Sequence, residues 1–411
     1  MNILLIHSTW YQTGGDWTYI KKIKDLYELD GHKIIPFSTI DARNEPTAYE
    51  NYFIPNLNYR TIASNKKLNE IFEVFLRIFY FPKAVKSLQK ILDSEDIDVV
   101  QLHNIHNVFS LAIISLLRKR KIPIIWRVLD YKILCPNRTF MVDPTQAICT
   151  KCISHSYLNC IKSKCKKGSL IASTIAALEA YYARIFGIYD NVDYFFLQNE
   201  FSKKLFISAG FNPAKLIVLK NPFQPQKAIE FIPHQEEKKY FIYFGRLSPE
   251  KGLLKFIDMF SRLECKNLDF LIIGNGPQET ALKNYVNSNN ILNVNFLGPM
   301  WGPQLDNILL RAEFSIVPSV WHDPSPYSIL QSFNAGIPVL GAKIGGIQDL
   351  ILNGENGYLY NTDDFLSFKN AFNNISRYCT KMSRNCRTYL KKNHSPNDYL
   401  QKTISIFSSF S

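Results

Sequence analysis

The sequence predicts an α/β protein of two domains, each built around a parallel β-sheet. With 411 residues the chain is longer than one hydrophobic core usually organises. Strand-like apolar runs alternate with helix-like segments throughout, which is typical of βαβ units. A proline-rich, charged stretch at 221–239 separates two such series. We therefore predict an N-terminal domain at 1–220, a linker at 221–239, a C-terminal domain at 240–395 and a last helix at 396–411 that packs back on the N-terminal domain.

The N-terminal series opens with the strand NILLIH, a Gly14-Gly15 turn and a helix from Trp17 to Leu29 that ends at Gly31. Further helices are expected near 108–120, from 169 to 185 and from Glu200. A cysteine-rich stretch at 131–168 breaks the alternation, and we interpret it as an insertion. The remaining predicted strands are KIIPF, DVVQLH (98–103), IPIIWRV (122–128), DYFFLQN (193–199) and KLIVLKN.

The C-terminal series begins directly after the linker. Its predicted strands are YFIYFG (240–245), DFLIIG, VNFLG, FSIVP and PVLGA. Together the two series predict two Rossmann-like domains that face each other across a cleft. Because ligands of open parallel sheets bind at the carboxyl ends of the strands, we expect the functional site there.

Net charge and apolar runs narrow the class of protein. The formal charge is +13, and residues 1–220 carry 29 Lys and Arg against 19 Asp and Glu. This excess suits an anionic partner such as a phospholipid surface, a lipid-linked diphosphate or nucleic acid, although solvated lysines explain it equally well. Nucleic acid is the weakest of these because no recognition module accompanies the charge. The longest apolar run, Val108 to Leu117, is about half of a membrane span, and no signal peptide is evident. We expect a cytoplasmic protein.

The segment FIYFGRLSPEKGLLKFIDMF (241–260) carries the most chemical information. A predicted strand ends at Gly245, and the following loop offers Arg246 and Lys251 before a helix that begins near Gly252. Two cations beside a helix N-terminus can hold a diphosphate and stabilise it as a leaving group. An ordinary capped surface loop is the alternative.

This segment resembles the phosphate-binding signature of the family 4 glycosyltransferases, which have the GT-B architecture. Three further segments resemble the family in the same order: LIIGNGP (271–277), VPSVWHDPSPYSILQSFNAGIPVLG (317–341) and GGIQDLILNGENGYLY (345–360). The resemblance implies a retaining transfer of sugar from a nucleoside-diphosphate sugar, with no metal required for catalysis. It also implies a donor site formed by Gly14, Gly15, Gly245, Arg246, Lys251, Gly274, Gly276, Asp323, Ser325, Pro326, Tyr327, Ser328 and Gln331.

The donor segment departs from the family pattern, which has two glutamates eight positions apart. Asp323 stands at the first position and Gln331 at the second. In the family the first acid lies near the sugar and the second binds the ribose hydroxyls. Gln331 keeps an acceptor oxygen but loses the negative charge, so we expect weaker ribose binding. Pro326 suits the first turn of a helix through Ile329, Leu330 and Phe333.

In the N-terminal half, the family resemblance assigns catalytic roles to two residues. His103 ends the strand QLHN, where the family has a histidine close to the donor sugar; His106 is the fallback candidate. RVLDYKILCPN (127–137) resembles a family stretch in which a histidine precedes the aspartate. Leu129 replaces that histidine, and Asp130 is retained to orient the acceptor hydroxyl.

Four cysteines within the insertion suggest a structural metal site. Cys149 and Cys152 have the spacing of a zinc knuckle, and Cys160 and Cys165 follow at a wider spacing. Four thiolates would bind structural zinc, while reduced cysteines that pack the insertion are the alternative. A similar cysteine cluster occurs in a bacterial subgroup of these transferases.

Membrane contact is suggested by LNEIFEVFLRIFYFPKAVKSLQKIL (68–92), where Leu68, Phe72, Phe75 and Phe79 recur at helical spacing beside lysines. A buried core stripe is the usual alternative. We predict peripheral binding to an anionic membrane surface, on the inner face of the cell membrane.

The predicted function is sugar transfer to a hydroxyl of a glycan or lipid-linked acceptor, as in bacterial surface polysaccharide synthesis. The partners are the nucleotide-sugar and this acceptor, without nucleic acid. A nucleotide-sugar epimerase of the same fold and a non-catalytic binding homologue are the alternatives.

Overall fold

The computed structural model describes residues 1–56, 76–143, 145, 147–223, 239–263, 265 and 267–410. The chain divides into two compact units. Unit 1 comprises Met1–Pro222 and Asn397–Ser411, and unit 2 comprises Phe223–Pro396.

A six-stranded parallel sheet forms the centre of unit 1, as expected for an α/β domain. Its strands, in spatial order, are β10 (Leu216–Val218), β9 (Tyr194–Leu197), β6 (Ile124–Arg127), β5 (Val99–His103), β1 (Asn2–His7) and β2 (Lys33–Phe37). Short strands pair outside this sheet: β3 (Thr39–Ile40) with β4 (Ile54–Pro55), and β7 (Met141–Val142) with β8 (Ala147–Ile148).

The order in which strands are added to the sheet reverses between β1 and β5, which makes this pair the topological switch point of unit 1. Strands added after β5 extend the sheet on one side, while β2 extends it beyond β1. The register places His7 next to His103 at the carboxyl ends of these two strands. Ligands of open α/β sheets bind at such a point.

The described helices of unit 1 begin and end near the predicted positions, with one clear difference. They are α1 (Gly15–Leu29), α2 (Pro82–Ser94), α3 (Ala112–Lys119), α4 (Leu158–Lys162), α5 (Leu170–Ile185) and α6 (Glu200–Ser208). The helix predicted near 108–120 begins only at Ala112, because Asn107 and Ser110 have left-handed backbone conformations, with φ of 60° and 61°. A left-handed residue does not fit a right-handed helix.

Residues 397–411 belong to unit 1 although they follow unit 2 in the chain. Helix α13 (Pro396–Ser408) brings the Tyr399 hydroxyl within 2.5 Å of the Tyr19 hydroxyl in α1. Phe407 lies beside Tyr27, with ring centroids 5.9 Å apart. The chain therefore returns to its first helix through aromatic contacts.

Part of the predicted membrane stripe is core. Leu68, Phe72 and Phe75 lie outside the described residues. Ile78, Phe81 and Leu88 are buried in unit 1, and the Phe79 ring packs edge-to-face on Tyr182 of α5, at 5.1 Å between centroids. Phe79 is thus the stripe residue that the described structure shows packed against α5, while Tyr80 beside it is 53% exposed.

Unit 2 repeats the α/β architecture with a second six-stranded parallel sheet. Its spatial order is β13 (Val294–Gly298), β12 (Asp269–Ile273), β11 (Tyr240–Phe244), β14 (Ser315–Val317), β15 (Val339–Ala342) and β16 (Gly357–Tyr360). The order reverses between β11 and β14, the switch point of this unit. The described helices are α7 (Leu253–Ser261), α8 (Glu279–Ser288), α9 (Pro303–Leu309), α10 (Tyr327–Ala335), α11 (Ile347–Leu350) and α12 (Phe365–Asn393).

Aromatic side chains fill the centre of unit 2. The buried Phe241 ring stacks between Phe270 and Phe314, at centroid distances of 4.6 and 4.9 Å. Phe241 and Phe270 lie on β11 and β12, and Phe314 directly precedes β14, so their stacking fixes β11 between these two strands. The strand that leads into the Arg246 loop is thereby held at the middle of the sheet.

Across the described parts of the chain, none of the helices is both long and apolar enough to cross a membrane.

His106, the fallback candidate for catalysis, is a packed residue of unit 1. Its ring contacts Trp126 at 5.0 Å between centroids, and its Nε2 lies 3.0 Å from the Tyr189 hydroxyl. Burial lowers the pKa of His106 to about 4. The folded protein therefore holds this ring neutral where an exposed histidine would begin to bind a proton.

We predict that His106 makes unit 1 sensitive to acid. Its pKa is about 6.5 in the unfolded chain and about 4 in the folded one, so the unfolded state takes up a proton first as the pH falls. Stability should be complete above pH 6.5 and fall by roughly 2 kcal/mol toward pH 4.5 from this group alone. Urea unfolding at several pH values should show a shallower pH dependence for His106→Gln. Parallel curves for the two proteins would contradict the assignment.

Candidate functional site

The loop after β11 presents the two predicted cations. Gly245 follows the strand, and the Arg246 side chain is largely exposed. Residues Pro249–Lys251 form a 3₁₀ turn that leads through Gly252 into α7. The predicted order of strand, cationic loop and helix is thus present in the fold.

Arg246 is held by a small polar network within its own loop. Its guanidinium forms an ion pair with the Glu250 carboxylate, and its Nε donates to the Ser248 hydroxyl at 3.2 Å. Ser248 in turn donates to Glu250 at 2.6 Å. Burial alone would raise the pKa of Glu250, but the hydrogen bonds from Ser248 and Arg246 outweigh it, so the pKa is lowered and the carboxylate stays charged. Arg246 is therefore oriented before any ligand binds.

The Lys251 side chain reaches from the loop after β11 to the segment after β14, across the switch point of unit 2. Its Nζ lies 2.6 Å from Oδ2 of Asp323, a buried carboxylate in the segment that follows β14. The same ammonium lies 5.5 Å from the centre of the Trp321 ring, within the range of a cation–π contact. The ion pair therefore links the loop after β11 to the segment after β14. These are the two neighbouring strands between which the strand order reverses.

Three close backbone approaches fix these loops. Gly252 has φ of 70°, and a Cβ there would lie 2.1 Å from the Pro318 carbonyl oxygen. A Cβ on Gly274 would lie 1.9 Å from the carbonyl oxygen of Gly245. Gly276 similarly abuts the Leu247 carbonyl. Because no side chain fits at these contacts, the glycines hold the loops after β11, β12 and β14 together.

The rest of the predicted donor segment surrounds the start of α10. Asp323 accepts a hydrogen bond through its main-chain oxygen from the N–H of Gly346 at 2.9 Å. Ser325 and Pro326 follow, and Pro326 is the residue before the helix rather than within its first turn. Tyr327 and Ser328 begin the helix, and Gln331 lies partly exposed one turn on. Ile329, Leu330 and Phe333 face the core as expected.

In unit 1, the candidates gather at its own switch point. Gly14 precedes α1 and Gly15 begins it. The Asn104 amide, just after β5, donates to Asp16 at 2.8 Å and ties this glycine turn to the end of that strand. His103 is fully buried at the strand end. Among the residues that the structure describes, neither ring nitrogen of His103 has a hydrogen-bond partner.

The electrostatic surroundings of His103 keep its ring neutral. Burial lowers the pKa of His103 well below its ordinary value, and the nearby His7 and Arg127 lower it further. The His7 and Tyr19 rings lie 6.3 and 5.8 Å away between centroids. A neutral imidazole can both donate and accept one hydrogen bond.

Asp130 lies in the loop after β6, and its contacts differ from those of His103. Its Oδ1 accepts from the Lys132 main-chain N–H at 2.8 Å, and its Oδ2 lies 3.6 Å from the Arg138 guanidinium. The carboxylate is partly exposed and is oriented by its own loop. Its role toward an acceptor stays a prediction.

The cysteines of the insertion lie in apolar packing. Cys152, Cys160 and Cys165 are buried with Tyr157 and Ala177, while Cys149 is partly exposed. Burial raises the pKa of Cys152 to about 12. In the described residues there is no group of three or more His, Cys, Asp or Glu side chains that could hold a metal ion. Structural zinc bound by these thiols stays a prediction.

Several polar residues around the candidate sites were not predicted from the sequence. Ser248 and Glu250 lie within the loop motif GRLSPEKG, so their proximity to Arg246 could have been predicted from the sequence. Trp321 lies within the donor segment, but its contact with Lys251 depends on the fold. His7 ends a buried strand, the same signal that singled out His103.

We predict that Gly252→Ala disrupts the cationic loop. The new Cβ would have to displace the Pro318 carbonyl, so the free energy of unfolding should fall by about 3 kcal/mol or more. Gly298→Ala is the matched control: φ there is 74°, yet nothing lies within 4 Å of the added Cβ. The control should cost about 1–2 kcal/mol through backbone strain alone. Chemical denaturation measures both, and equal losses would contradict the close approach.

Comparison with known proteins agrees with this architecture. Residues 225–393 match the family model described as glycosyl transferases group 1. The chain is 30% identical over 153 residues to the UDP-Gal:alpha-D-GlcNAc-diphosphoundecaprenol alpha-1,3-galactosyltransferase of Escherichia coli, a match that covers 36% of this chain and 39% of that protein. The chain thus spans about two fifths of the length of this curated relative.

Two further proteins match over most of their length. A 42.6 kDa uncharacterised protein from the cps region of Klebsiella pneumoniae is 23% identical over 361 residues, covering 85% of this chain and 87% of that protein. The crystal structure of Anabaena HepE in complex with UDP-glucose superimposes with a TM-score of 0.65 at 16% identity, covering 100% of both chains. The chain has the GT-B fold.

Proposed function

We propose that this protein is a glycosyltransferase that moves a sugar from a nucleoside-diphosphate sugar to a hydroxyl of a glycan or lipid-linked acceptor. The observation that carries the proposal is the Lys251–Asp323 ion pair at the switch point of unit 2, in the same loop as the oriented Arg246. Cations at this place suit a diphosphate, and a carboxylate beside them suits a sugar.

The free protein keeps both cations paired with carboxylates. When a diphosphate binds, its oxygens take the positions that Glu250 and Asp323 hold against Arg246 and Lys251. Exchange of one anion for another limits the cost of desolvating the lysine. The released Asp323 carboxylate then faces the sugar hydroxyls as an acceptor.

With the diphosphate bound by Arg246 and Lys251, the sugar is transferred to the acceptor. The bond between the anomeric carbon and the diphosphate oxygen breaks, and negative charge grows on the departing oxygen. Arg246 and Lys251 stabilise that charge where it develops, which lowers the barrier more than it strengthens substrate binding. The acceptor hydroxyl forms the new bond on the same face, with a phosphate oxygen receiving its proton, and the anomeric configuration is retained.

The relatives support a UDP-sugar as donor and a lipid-linked acceptor. The E. coli relative uses UDP-Gal and acts on a sugar joined to a lipid through a diphosphate, as its name states. HepE was crystallised with UDP-glucose. The origin of the Klebsiella relative in the cps region supports a role in surface polysaccharide synthesis.

Unit 1 is proposed to supply His103 and the Gly14-Gly15 turn for the donor sugar, and Asp130 for the acceptor. His103 offers two unpartnered ring nitrogens within the described structure, and a sugar hydroxyl would satisfy them. The Gly14-Gly15 turn lies at the same switch point, where backbone N–H groups at the start of α1 can receive an anionic or hydroxyl oxygen. Asp130 would orient the acceptor hydroxyl.

The proposal predicts that Lys251→Ala lowers turnover by about two to three orders of magnitude, because the charge on the departing diphosphate is no longer neutralised. A donor screen that detects released nucleoside diphosphate, run with and without acceptor extracts, measures this. Lys255→Ala is the control, since Lys255 lies one turn into α7 and pairs with the exposed Asp363 instead.

Unchanged turnover in Lys251→Ala under an active donor would contradict the diphosphate assignment. Conversion of the donor that needs no acceptor and releases no nucleoside diphosphate would favour an epimerase. Nucleotide binding without turnover of any donor would favour a binding-only role.

A further inference from the structure

We infer that unit 1 docks on an anionic phospholipid surface through one face of helix α5 and the lysines that precede it. The docking face, on which Tyr182 also packs against the Phe79 ring, consists of Ile171, Ile175, Leu178, Tyr182 and Ile185. It lies outside the candidate sites described above, and its role is to hold the protein at a membrane rather than to transfer sugar.

The apolar pattern of α5 is inverted relative to an ordinary globular helix. The residues of the docking face are spaced by four, three, four and three positions, so they form one stripe along the helix. Ile171 and Ile185 are 74% and 73% exposed, and Leu178 is 45% exposed. The opposite face is buried, yet it carries small or polar residues: Ser173, Ala176, Ala177, Glu179 and Ala183.

A helix at the surface of a soluble domain normally turns its large apolar side chains inward. In α5 the inward face gains its stability from close packing of alanines and from a buried ion pair. The Glu179 carboxylate lies 2.6 Å from the Lys132 ammonium, and both side chains are almost fully buried. Because the alanines and Glu179 form the buried face of α5, the large apolar side chains lie on the outward face.

Neighbouring residues enlarge the apolar surface. Leu170 and Phe186, at the two ends of the helix, are 53% and 67% exposed. Leu158 is also exposed, and its main-chain N–H donates to the Tyr181 hydroxyl of α5 at 3.3 Å, which places it beside the helix. A contiguous exposed apolar surface of this kind marks an interaction site.

Charge identifies the occupant as an anionic lipid surface. Residues 149–186 contain six basic residues and one acidic residue, Glu179. Since Glu179 is buried against Lys132, its charge does not offset the basic ones at the surface. Lys162, at the end of α4, and Lys164 and Lys167, in the turns between α4 and α5, are exposed. Basic residues beside an apolar stripe are the features of a helix that lies in the headgroup region of a membrane.

A second copy of the chain suits this surface less well. A symmetric dimer through the docking face would bring the two sets of lysines toward each other, and like charges oppose association. Anionic headgroups instead neutralise the lysines while the isoleucine and leucine side chains enter the lipid. The inference therefore commits to a bilayer.

The test is flotation of the full-length protein with phosphatidylcholine vesicles, with and without about one-third phosphatidylglycerol. The wild-type chain should bind the anionic vesicles, and binding should weaken at high salt. Ile171→Asp with Ile185→Asp should weaken it at least about tenfold, because charged groups replace the most exposed apolar ones. Leu292→Asp with Leu366→Asp is the matched control, with the same change in net charge at exposed leucines of unit 2.

Circular dichroism checks that both double variants are folded, which their exposed positions favour. Failure of the wild-type chain to bind anionic vesicles, or equal loss in the two variants, would overturn the inference. Self-association in sedimentation experiments that only the α5 variant abolishes would overturn it in favour of a second copy. Transfer to a water-soluble acceptor should be the same in all three proteins, so this test fails independently of the proposed transferase function.

Discussion

The candidate site of unit 2 depends on the contact between the loops that follow β11 and β14. Gly252 and Pro318 approach so closely that no side chain fits between them, and the Lys251–Asp323 ion pair lies beside this contact. The contact arises because β11 and β14 are neighbours at the point where the strand order reverses. A crevice opens at such a point in open α/β sheets, and here it is lined by a cation, a carboxylate and an oriented arginine.

In the ligand-free protein, each of the two cations of this site is paired with a carboxylate. Asp323 and Glu250 hold the side chains of Lys251 and Arg246 in place as their ion-pair partners. The geometry is thus prepared before a diphosphate arrives, which reduces the reorganisation that binding requires.

Much of the fold was predictable because parallel strands are buried on both faces and are read as continuous apolar runs. Arg246 and Lys251 were predictable because they are close together in one loop. The partner of Lys251 was not, since Asp323 is 72 positions away and only the fold brings them together. The start of α3 was misplaced because left-handed residues such as Ser110 leave little sequence signal.

The membrane surface shows the limit of periodicity as a predictor. The stripe at 68–92 and the stripe of α5 have similar spacing, but spacing alone does not tell which face of a helix is buried. In the described part of the segment 68–92, Phe81 and Leu88 are core residues, whereas Ile171 and Ile185 of the α5 stripe are exposed. Burial was decided by the partners of each helix, among them the Lys132–Glu179 pair.

The most direct test of the central claim is calorimetric titration of UDP into Lys251→Met and Asp323→Asn. If a diphosphate replaces Asp323 as the partner of Lys251, the two substitutions should act in opposite directions. Loss of the lysine should weaken UDP binding about tenfold or more, while loss of the competing carboxylate should leave it as tight or tighter. Weaker binding in Asp323→Asn together with unchanged binding in Lys251→Met would contradict the account.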